Sequence, residues 1–157
     1  MQSRLAQRCM TECPEDTRRV GRYLGQQACA GDVITCRGSL GAGKTTLVQG
    51  FAAGVGVSSA AYVRSPTFAL VHIYDGRIPL YHFDFYRLTS ESEVEDIGFE
   101  DYLAAGGVVI IEWAEKFPGL LPADTLAIHI NLPSPHQRCI QWTASTMAYS
   151  RYFLWKY

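Results

Sequence analysis

Residues 38–45 have the sequence GSLGAGKT, and this short stretch decides the fold. It matches the phosphate-binding pattern G-x-x-x-x-G-K-[ST] at every fixed position. The preceding residues 33–36, VITC, predict a short buried strand. The segment that starts at Lys44, KTTLVQGFAAGVG, carries apolar residues at helical spacing and stops at glycines. The sequence therefore predicts a strand, a glycine-rich loop and a helix in the order that a P-loop requires.

The glycine-rich loop is the predicted binding site for the phosphate chain of a nucleotide. Glycine adopts backbone angles that are closed to other residues, so consecutive N–H groups can point inward around an anion, and the helix N-terminus adds partial positive charge. We expect Lys44 to contact the β- and γ-phosphates, Thr45 to hold Mg²⁺ and Thr46 to lie near the α-phosphate. A flexible turn with a chance lysine is the alternative, which the full match disfavours. The predicted nucleotide-binding residues of this segment are Gly38, Ser39, Leu40, Gly41, Ala42, Gly43, Lys44, Thr45 and Thr46.

The composition favours one globular domain over residues 1–157, with 48% apolar residues. No uncharged apolar stretch approaches the roughly 18 residues of a spanning helix, and the first ten residues lack the apolar run of a secretory signal. The net charge is -1. Direct nucleic-acid binders are usually basic, so we expect any RNA contact to be made through a partner. Five cysteines without a CxxC pair indicate free thiols in a reducing cytoplasm rather than a disulfide framework or a metal site.

The rest of the chain predicts a P-loop NTPase-like α/β domain of three layers, whose mixed sheet is parallel at its centre and antiparallel at its edges. Two aromatic, β-rich runs meet at Asp75-Gly76 and predict a hairpin. Ser90 is a plausible N-cap for an acidic segment in two helical pieces. The tail 147–157 receives no assignment. The further predicted elements are a helix at 14–30, a buried parallel strand at 107–113, and strands at 125–132 and 137–144.

Two other segments are candidates for chemistry at the γ-phosphate. Glu112 follows four apolar strand residues, where a Walker B carboxylate would hold Mg²⁺. An ordinary charged residue at a strand's exit is the alternative. Ser65 and Thr67, in the sequence SPT, lie between the P-loop helix and the hairpin, where a switch-like loop would contact Mg²⁺ or the γ-phosphate. Ser-Pro-Thr also occurs in many ordinary turns.

The segment HFDFYR at residues 82–87 contains a carboxylate among aromatic side chains. In a strand, His82, Asp84 and Tyr86 share one face. Burying a carboxylate is expensive unless it is paired or used, so Asp84 is a candidate catalytic residue. A salt bridge from Asp84 to Arg87 or to another cation is the alternative. We expect His82 to be a packed core or edge histidine rather than a proton carrier.

Four ordered blocks resemble the TsaE (YjeE) family, the small ATPase of bacterial tRNA threonylcarbamoyladenosine (t6A) synthesis. The blocks are GSLGAGKTTLVQGF, RSPTFALVHIY, LYHFDFYRL and IIEWAEKFPGLLP, and the resemblance covers residues 11–143. It implies that Lys44 contacts phosphates, that Thr45 and Glu112 hold Mg²⁺, and that Asp84 is needed for activity.

The resemblance also implies roles around the site and beyond it. The SPT block corresponds to the family's switch-like loop, and Trp113 serves the partner interface or the wall of the site. Adenine contacts near Cys13 and Pro14, and at Arg138, are weaker expectations. The family acts with TsaD and TsaB, which attach threonylcarbamoyl to adenosine 37 of tRNAs that read ANN codons. Hydrolysis of MgATP would reset that complex between turnovers, with tRNA contacted indirectly and no membrane involved.

Two other classes of function stay open. A small-molecule kinase could use the same loop, with Asp84 as the base for an acceptor hydroxyl, but the sequence has no arginine-rich lid segment. A nucleotide-gated binding module could bind ATP without turnover. The sequence lacks the N-K-x-D motif of GTPases and the LSGGQ signature of transporter ATPases. Arg64 and Arg87 are the arginines near the motifs, so either could stabilise charge in cis.

Overall fold

The computed structural model describes residues 4–156, and its seven strands form one sheet in the order β1-β7-β6-β2-β5-β4-β3. The strands are β1 Leu5–Thr11, β2 Val33–Gly38, β3 Val71–Tyr74, β4 Leu80–Asp84, β5 Val108–Glu112, β6 Leu126–Ser134 and β7 Gln137–Ala144. The α-helices are α1 Pro14–Gln27, α2 Lys44–Val55, α3 Glu91–Asp96 and α4 Phe99–Ala104. Short 3₁₀ helices span Ala60–Tyr62, Ala114–Lys116, Pro118–Leu120 and Met147–Phe153.

The sheet is mixed in the predicted way. Strand β2 pairs in parallel with β5 and β6, and β4 pairs in parallel with β5. The pairs β1–β7, β6–β7 and β3–β4 are antiparallel. This arrangement confirms the α/β fold class with a parallel centre and antiparallel edges. It also sends the carboxyl ends of β2, β4 and β5 to the same edge of the sheet.

Strand β5 separates two hydrophobic clusters, and every residue in it is buried. Val108 and Ile110 pack into the cluster that holds α1 and α2. Val109 and Ile111 pack on the opposite face, into the cluster that holds α3 and α4. Burial on both faces explains why VVII lacks polar alternation, and it gives the three layers that the sequence predicts.

Helices on both faces begin with the predicted signals. Pro14 opens α1, although that helix ends at Gln27 rather than at residue 30. Ser90 caps α3 through a capping box with Glu93, which confirms the predicted N-cap. The β3–β4 hairpin is also confirmed, but its loop spans residues 75–79 because Tyr74 pairs with Leu80.

Strand β1 and the helix of the tail have no counterpart in the sequence prediction. Strand β1 pairs with β7 along its whole length. Its inward-facing residues include Gln7, whose side-chain amide donates to the backbone carbonyl of Trp155 at 2.8 Å, so a polar side chain hides the strand's alternation. The tail forms a 3₁₀ helix in which Tyr152 donates to Asp32 at 2.6 Å, at the start of β2. Both elements complete the α1–α2 side of the core.

All five cysteines are free thiols, as their number and spacing predict. Burial raises the pKa of the Cys9 thiol to about 12, with the neighbouring Cys139 adding to the shift, so Cys9 stays protonated at neutral pH. Within residues 4–156, the structure contains no helix with the length and apolar character needed to cross a bilayer.

Candidate functional site

The P-loop folds as a tight turn between β2 and α2. Gly41 and Gly43 have positive φ angles of 77° and 105°, which glycine adopts without steric strain. Gly38 lies so close to β6 that an added Cβ would be 2.7 Å from the carbonyl oxygen of Ile130. Glycine is therefore required at position 38 for packing, and at positions 41 and 43 for backbone conformation. Lys44 is the first residue of α2, so the helix N-terminus faces the loop.

The Lys44 ammonium group is turned into the loop. Only 5% of Lys44 is exposed, and its Nζ donates to the carbonyl oxygens of Gly38 at 2.7 Å and Ser39 at 2.9 Å. The ring centroid of Trp113 lies 4.2 Å from the same Nζ, a cation–π contact. Backbone carbonyls and an aromatic face thus hold the cation where a phosphate would meet it.

Thr45 and Glu112, the two predicted Mg²⁺ ligands, are brought into direct contact. Strands β2 and β5 pair so that Cys36 lies beside Glu112, and α2 starts six residues after the end of β2 at Gly38. The Thr45 hydroxyl is 3.2 Å from Glu112 Oε1 and 3.3 Å from Oε2. Only 2% of Glu112 is exposed. Burial, and then the charge of the adjacent Glu112 carboxylate, raise the pKa of the Cys36 thiol well above its ordinary value.

Asp84 lies beside Glu112, since β4 pairs with β5 in parallel and these two residues are partners. The Asp84 carboxylate is 3% exposed and accepts hydrogen bonds from the hydroxyls of Ser65 and Thr67 at Oδ2. Its Oδ1 accepts from the backbone N–H of Tyr86 at 2.8 Å. The SPT segment is therefore tied directly to the candidate catalytic carboxylate.

The alternative salt bridge from Asp84 to Arg87 is absent from the part of the chain that the structure describes. The guanidinium of Arg87 instead lies 4.4 Å from the ring centroid of Phe68. Asp84 is thus satisfied by hydroxyl and backbone donors, which leave its negative charge uncompensated by a cation. That arrangement suits a carboxylate that is used at the site.

His82 is the site residue whose contact the sequence did not predict. It is fully buried on β4, and its Nε2 lies 2.8 Å from Glu112 Oε1. The alternation of HFDFYR placed His82 on the face of Asp84, but its partner comes 30 residues later in the chain. Only the β4–β5 pairing shows that a buried histidine belongs to the site.

A cleft of about 430 Å³ opens over these groups. Trp113 forms one wall, with a left-handed backbone at φ 60° that turns the chain sharply after Glu112. The Trp113 ring also packs on Tyr86, with centroids 5.0 Å apart. The residues around this cleft are Leu40, Gly41, Gly43, Lys44, Thr45, Thr46, Ser65, Thr67, Asp84, Tyr86, Glu112 and Trp113.

A second, smaller cleft of about 240 Å³ shares Gly41, Gly43 and Thr46 with the first. Cys13 and Arg138, the two weaker predictions for contacts with the base, lie on its wall and come from the start of α1 and from β7. The predicted loop residues Gly38, Ser39 and Ala42 line neither cleft.

Known proteins similar to this chain point to a single family. The model of the family described as "Threonylcarbamoyl adenosine biosynthesis protein TsaE" matches residues 11–140. The tRNA threonylcarbamoyladenosine biosynthesis protein TsaE of Bacillus subtilis (strain 168) is 42% identical over 132 residues, covering 83% of this chain and 81% of that protein. The protein of the same name from Treponema pallidum (strain Nichols) is 39% identical over 125 residues, covering 80% of this chain and 91% of that protein.

The fold agrees with these relatives. The crystal structure of Bacillus subtilis YdiB superposes with a TM-score of 0.79 at 32% sequence identity, covering 97% of this chain and 94% of that one. The resemblance carried by the four sequence blocks is therefore confirmed by sequence and by structure. The chain belongs to the TsaE family.

Proposed function

We propose that this chain is a Mg²⁺-dependent ATPase that acts in tRNA threonylcarbamoyladenosine (t6A) biosynthesis. The names of its relatives support the process. One observation supports the chemistry: Lys44, Thr45, Glu112 and Asp84 converge around one cleft, although they come from three separate elements of the chain, α2, β5 and β4. A cation, a hydroxyl and two carboxylates can supply the phosphate contact, the Mg²⁺ ligands and the water-orienting group that phosphoryl transfer to water uses.

The donor set fits Mg²⁺. Thr45 and Glu112 supply hard oxygen ligands within 3.3 Å of each other, and Mg²⁺ is commonly bound by one or two protein oxygens together with water and phosphate oxygens. The described residues contain no cluster of three or more His, Cys, Asp or Glu that would form a complete protein cage. When bound, Mg²⁺ neutralises phosphate charge and acts as a Lewis acid.

Lys44 is the residue that binds the phosphates most strongly in this proposal. Its Nζ contacts two neutral carbonyl oxygens, and charge-assisted bonds to phosphate oxygens are roughly twice as strong as neutral ones. ATP would therefore draw the ammonium out of the loop while Trp113 keeps its ring against it. The N–H groups at the start of α2 bind the same anion.

Asp84 orients the attacking water in this proposal. A carboxylate has about four lone-pair positions, and Ser65, Thr67 and Tyr86 occupy three of them. The remaining position is on Oδ1 of a side chain that lines the cleft. A water that donates to it would be held beside the γ-phosphate. Through the hydrogen bonds that Ser65 and Thr67 donate to Asp84, the SPT loop would also respond to whether that phosphate is bound.

The partners in this proposal are TsaD and TsaB, with tRNA contacted through them in the cytoplasm. No arginine lines the 430 Å³ cleft in the described part of the chain. An arginine that stabilises the transition state can raise turnover by 10³–10⁵-fold, so we expect low activity from the isolated chain and stimulation in the complex. The net charge of -1 also favours indirect tRNA contact.

The test measures ATP hydrolysis by the chain alone and with purified TsaD, TsaB and tRNA. We expect Lys44→Ala to lose nucleotide binding, and Asp84→Ala to keep binding but lose at least about 10²-fold in turnover. Asp75→Ala, on the exposed hairpin loop, is the matched control and should behave as wild type. ATP binding without turnover in any mixture would indicate a nucleotide-gated module. Transfer of labelled phosphate to a small acceptor would indicate a kinase.

A further inference from the structure

The buried contact between His82 and Glu112 is the feature that the proposed mechanism does not yet use. We propose that His82 is a positioning residue that fixes the Glu112 carboxylate for Mg²⁺ binding, acting only through that carboxylate. This inference rests on the proposed function of the P-loop site. It assigns the histidine a role in metal affinity rather than in contact with ATP.

The hydrogen-bond roles in this contact follow from the acceptor. An ionised carboxylate only accepts hydrogen bonds, so the His82 Nε2 that lies 2.8 Å from Oε1 carries the proton. The other ring nitrogen, Nδ1, is buried and has no hydrogen-bond partner among residues 4–156. Buried polar atoms without partners are rare because they lower stability. The histidine is therefore explained by what Nε2 does for Glu112.

An apolar residue would serve packing better at this position. Leu80 precedes His82 on the same face of β4 and packs into the α1–α2 core. A leucine or methionine at position 82 would continue that core without leaving Nδ1 unpaired. The fully buried ring in place of such a side chain points to the Glu112 contact as its purpose.

Thr45 alone leaves the carboxylate without a defined orientation. Its hydroxyl lies almost equally far from the two oxygens, at 3.2 Å and 3.3 Å, so it does not distinguish them. His82 contacts only Oε1. The pair of contacts therefore engages Oε1 from two sides and leaves Oε2 as the less-bonded oxygen, which is the one available to a metal ion. Hydrogen-bonded partners of metal-binding carboxylates set ligand orientation in this way.

The test compares His82→Leu, which removes the donor at similar volume, with His82→Gln, whose amide nitrogen restores a donor near the place of Nε2. Binding of a fluorescent, non-hydrolysable ATP analogue is titrated against Mg²⁺ and repeated in EDTA. We expect His82→Leu to need 10–100-fold more Mg²⁺, and His82→Gln to stay within about threefold of wild type. Affinity in EDTA should be unchanged. Ile110→Val, the strand partner of His82, is the control for core packing.

A double-mutant cycle separates positioning from general damage. In a Glu112→Gln background, adding His82→Leu should cause no further loss of Mg²⁺ affinity, because the histidine then has no carboxylate to hold. Thermal melting checks that each variant is folded, and His82→Met replaces His82→Leu if the leucine variant is not.

Several results would overturn the inference. These are a wild-type Mg²⁺ dependence in His82→Leu, an equal loss in Ile110→Val or His82→Gln, or a further loss in the Glu112→Gln background. If the nucleotide affinity of the wild-type chain does not change with Mg²⁺, the proposed Mg²⁺-dependent ATPase function is contradicted, and the role of His82 falls with it. If the wild type responds to Mg²⁺ and His82→Leu responds alike, only the role of His82 fails.

Discussion

Gly50→Ala tests the contact between α1 and α2 that sets the position of the P-loop helix. In an exposed helix this change stabilises by about 1 kcal/mol, because alanine is the better helix former. Here an added Cβ on Gly50 would lie 2.1 Å from the backbone carbonyl oxygen of Arg18. Gly21, Gly25 and Gly54 make equally close contacts across the same interface. We therefore expect the sign of the effect to reverse.

The size of the effect follows from how far the helices must separate. Ordinary contacts of a Cβ begin at 3.4 Å, so relieving the clash requires a movement of about 1.3 Å, and a backbone carbonyl cannot rotate away as a side chain can. A gap of about 1 Å forfeits up to about half of each dispersion contact. Overpacking of a core typically costs about 1–3 kcal/mol, and we expect about 3 kcal/mol here because the gap opens beside the fully buried Leu24, Leu47 and Phe51. Subtracting the helix-propensity gain leaves a net destabilisation of about 2 kcal/mol.

Thermal unfolding measures this value directly. For a chain of this length we expect the Tm of Gly50→Ala to fall by about 4–8 °C. Nucleotide affinity should fall too, because α2 begins at Lys44. Gln26→Ala, at an exposed position of α1, is the control and should change stability by less than about 0.5 kcal/mol. An unchanged or raised Tm in Gly50→Ala would refute the close helix contact as the reason for these glycines.

Three further predictions concern other contacts in the chain. Ser90→Ala removes the cap of α3 and should lower stability by about 1 kcal/mol, a Tm loss of about 2–4 °C. Tyr152→Phe removes a donor to the Asp32 carboxylate and should lower the free energy of unfolding by about 2 kcal/mol in denaturant unfolding. Nucleotide affinity should be unchanged, because Asp32 lies just before the start of β2 and the P-loop begins at its other end. Burial, and then the charge of Arg37, lower the pKa of His129 below its usual value. The unfolded chain therefore binds more protons just below pH 6.5, and His129 contributes stability above that pH that is lost as the pH falls. Arg37→Gln should raise this pKa only partway in an NMR titration, since burial, the larger cause, stays.

The sequence alone determined the features that depend on neighbouring residues. The P-loop is specified by eight consecutive residues, and its glycines, lysine and threonine must act together on one phosphate chain. The Ser90 cap and the buried strand β5 are likewise encoded within a few positions, by hydrogen-bonding side chains and by unbroken apolar character. The four family blocks carried the resemblance, and with it the assignments of Glu112 and Asp84.

Strand β1 and the tail were missed because their stabilising partners are distant in sequence. Gln7 faces inward because the carbonyl of Trp155 accepts from it, and Tyr152 is buried because Asp32 accepts from it. A pattern of apolar and polar residues records whether a side chain is buried. It does not record which distant atom forms the hydrogen bond that offsets the cost of burying a polar side chain.

Only the tertiary structure decided which residues of the site contact one another. The strand order β2-β5-β4 places Thr45, Glu112 and His82 in one chain of contacts, and the β4 register puts Asp84 beside the Ser65 and Thr67 hydroxyls. Alternation along β4 places His82 and Asp84 on one face whichever strand lies next to it. That β5, with Glu112, is the strand beside β4 follows from the packing of two helix layers on a parallel sheet. Local sequence thus fixed which groups the site contains, and long-range packing fixed which of them touch.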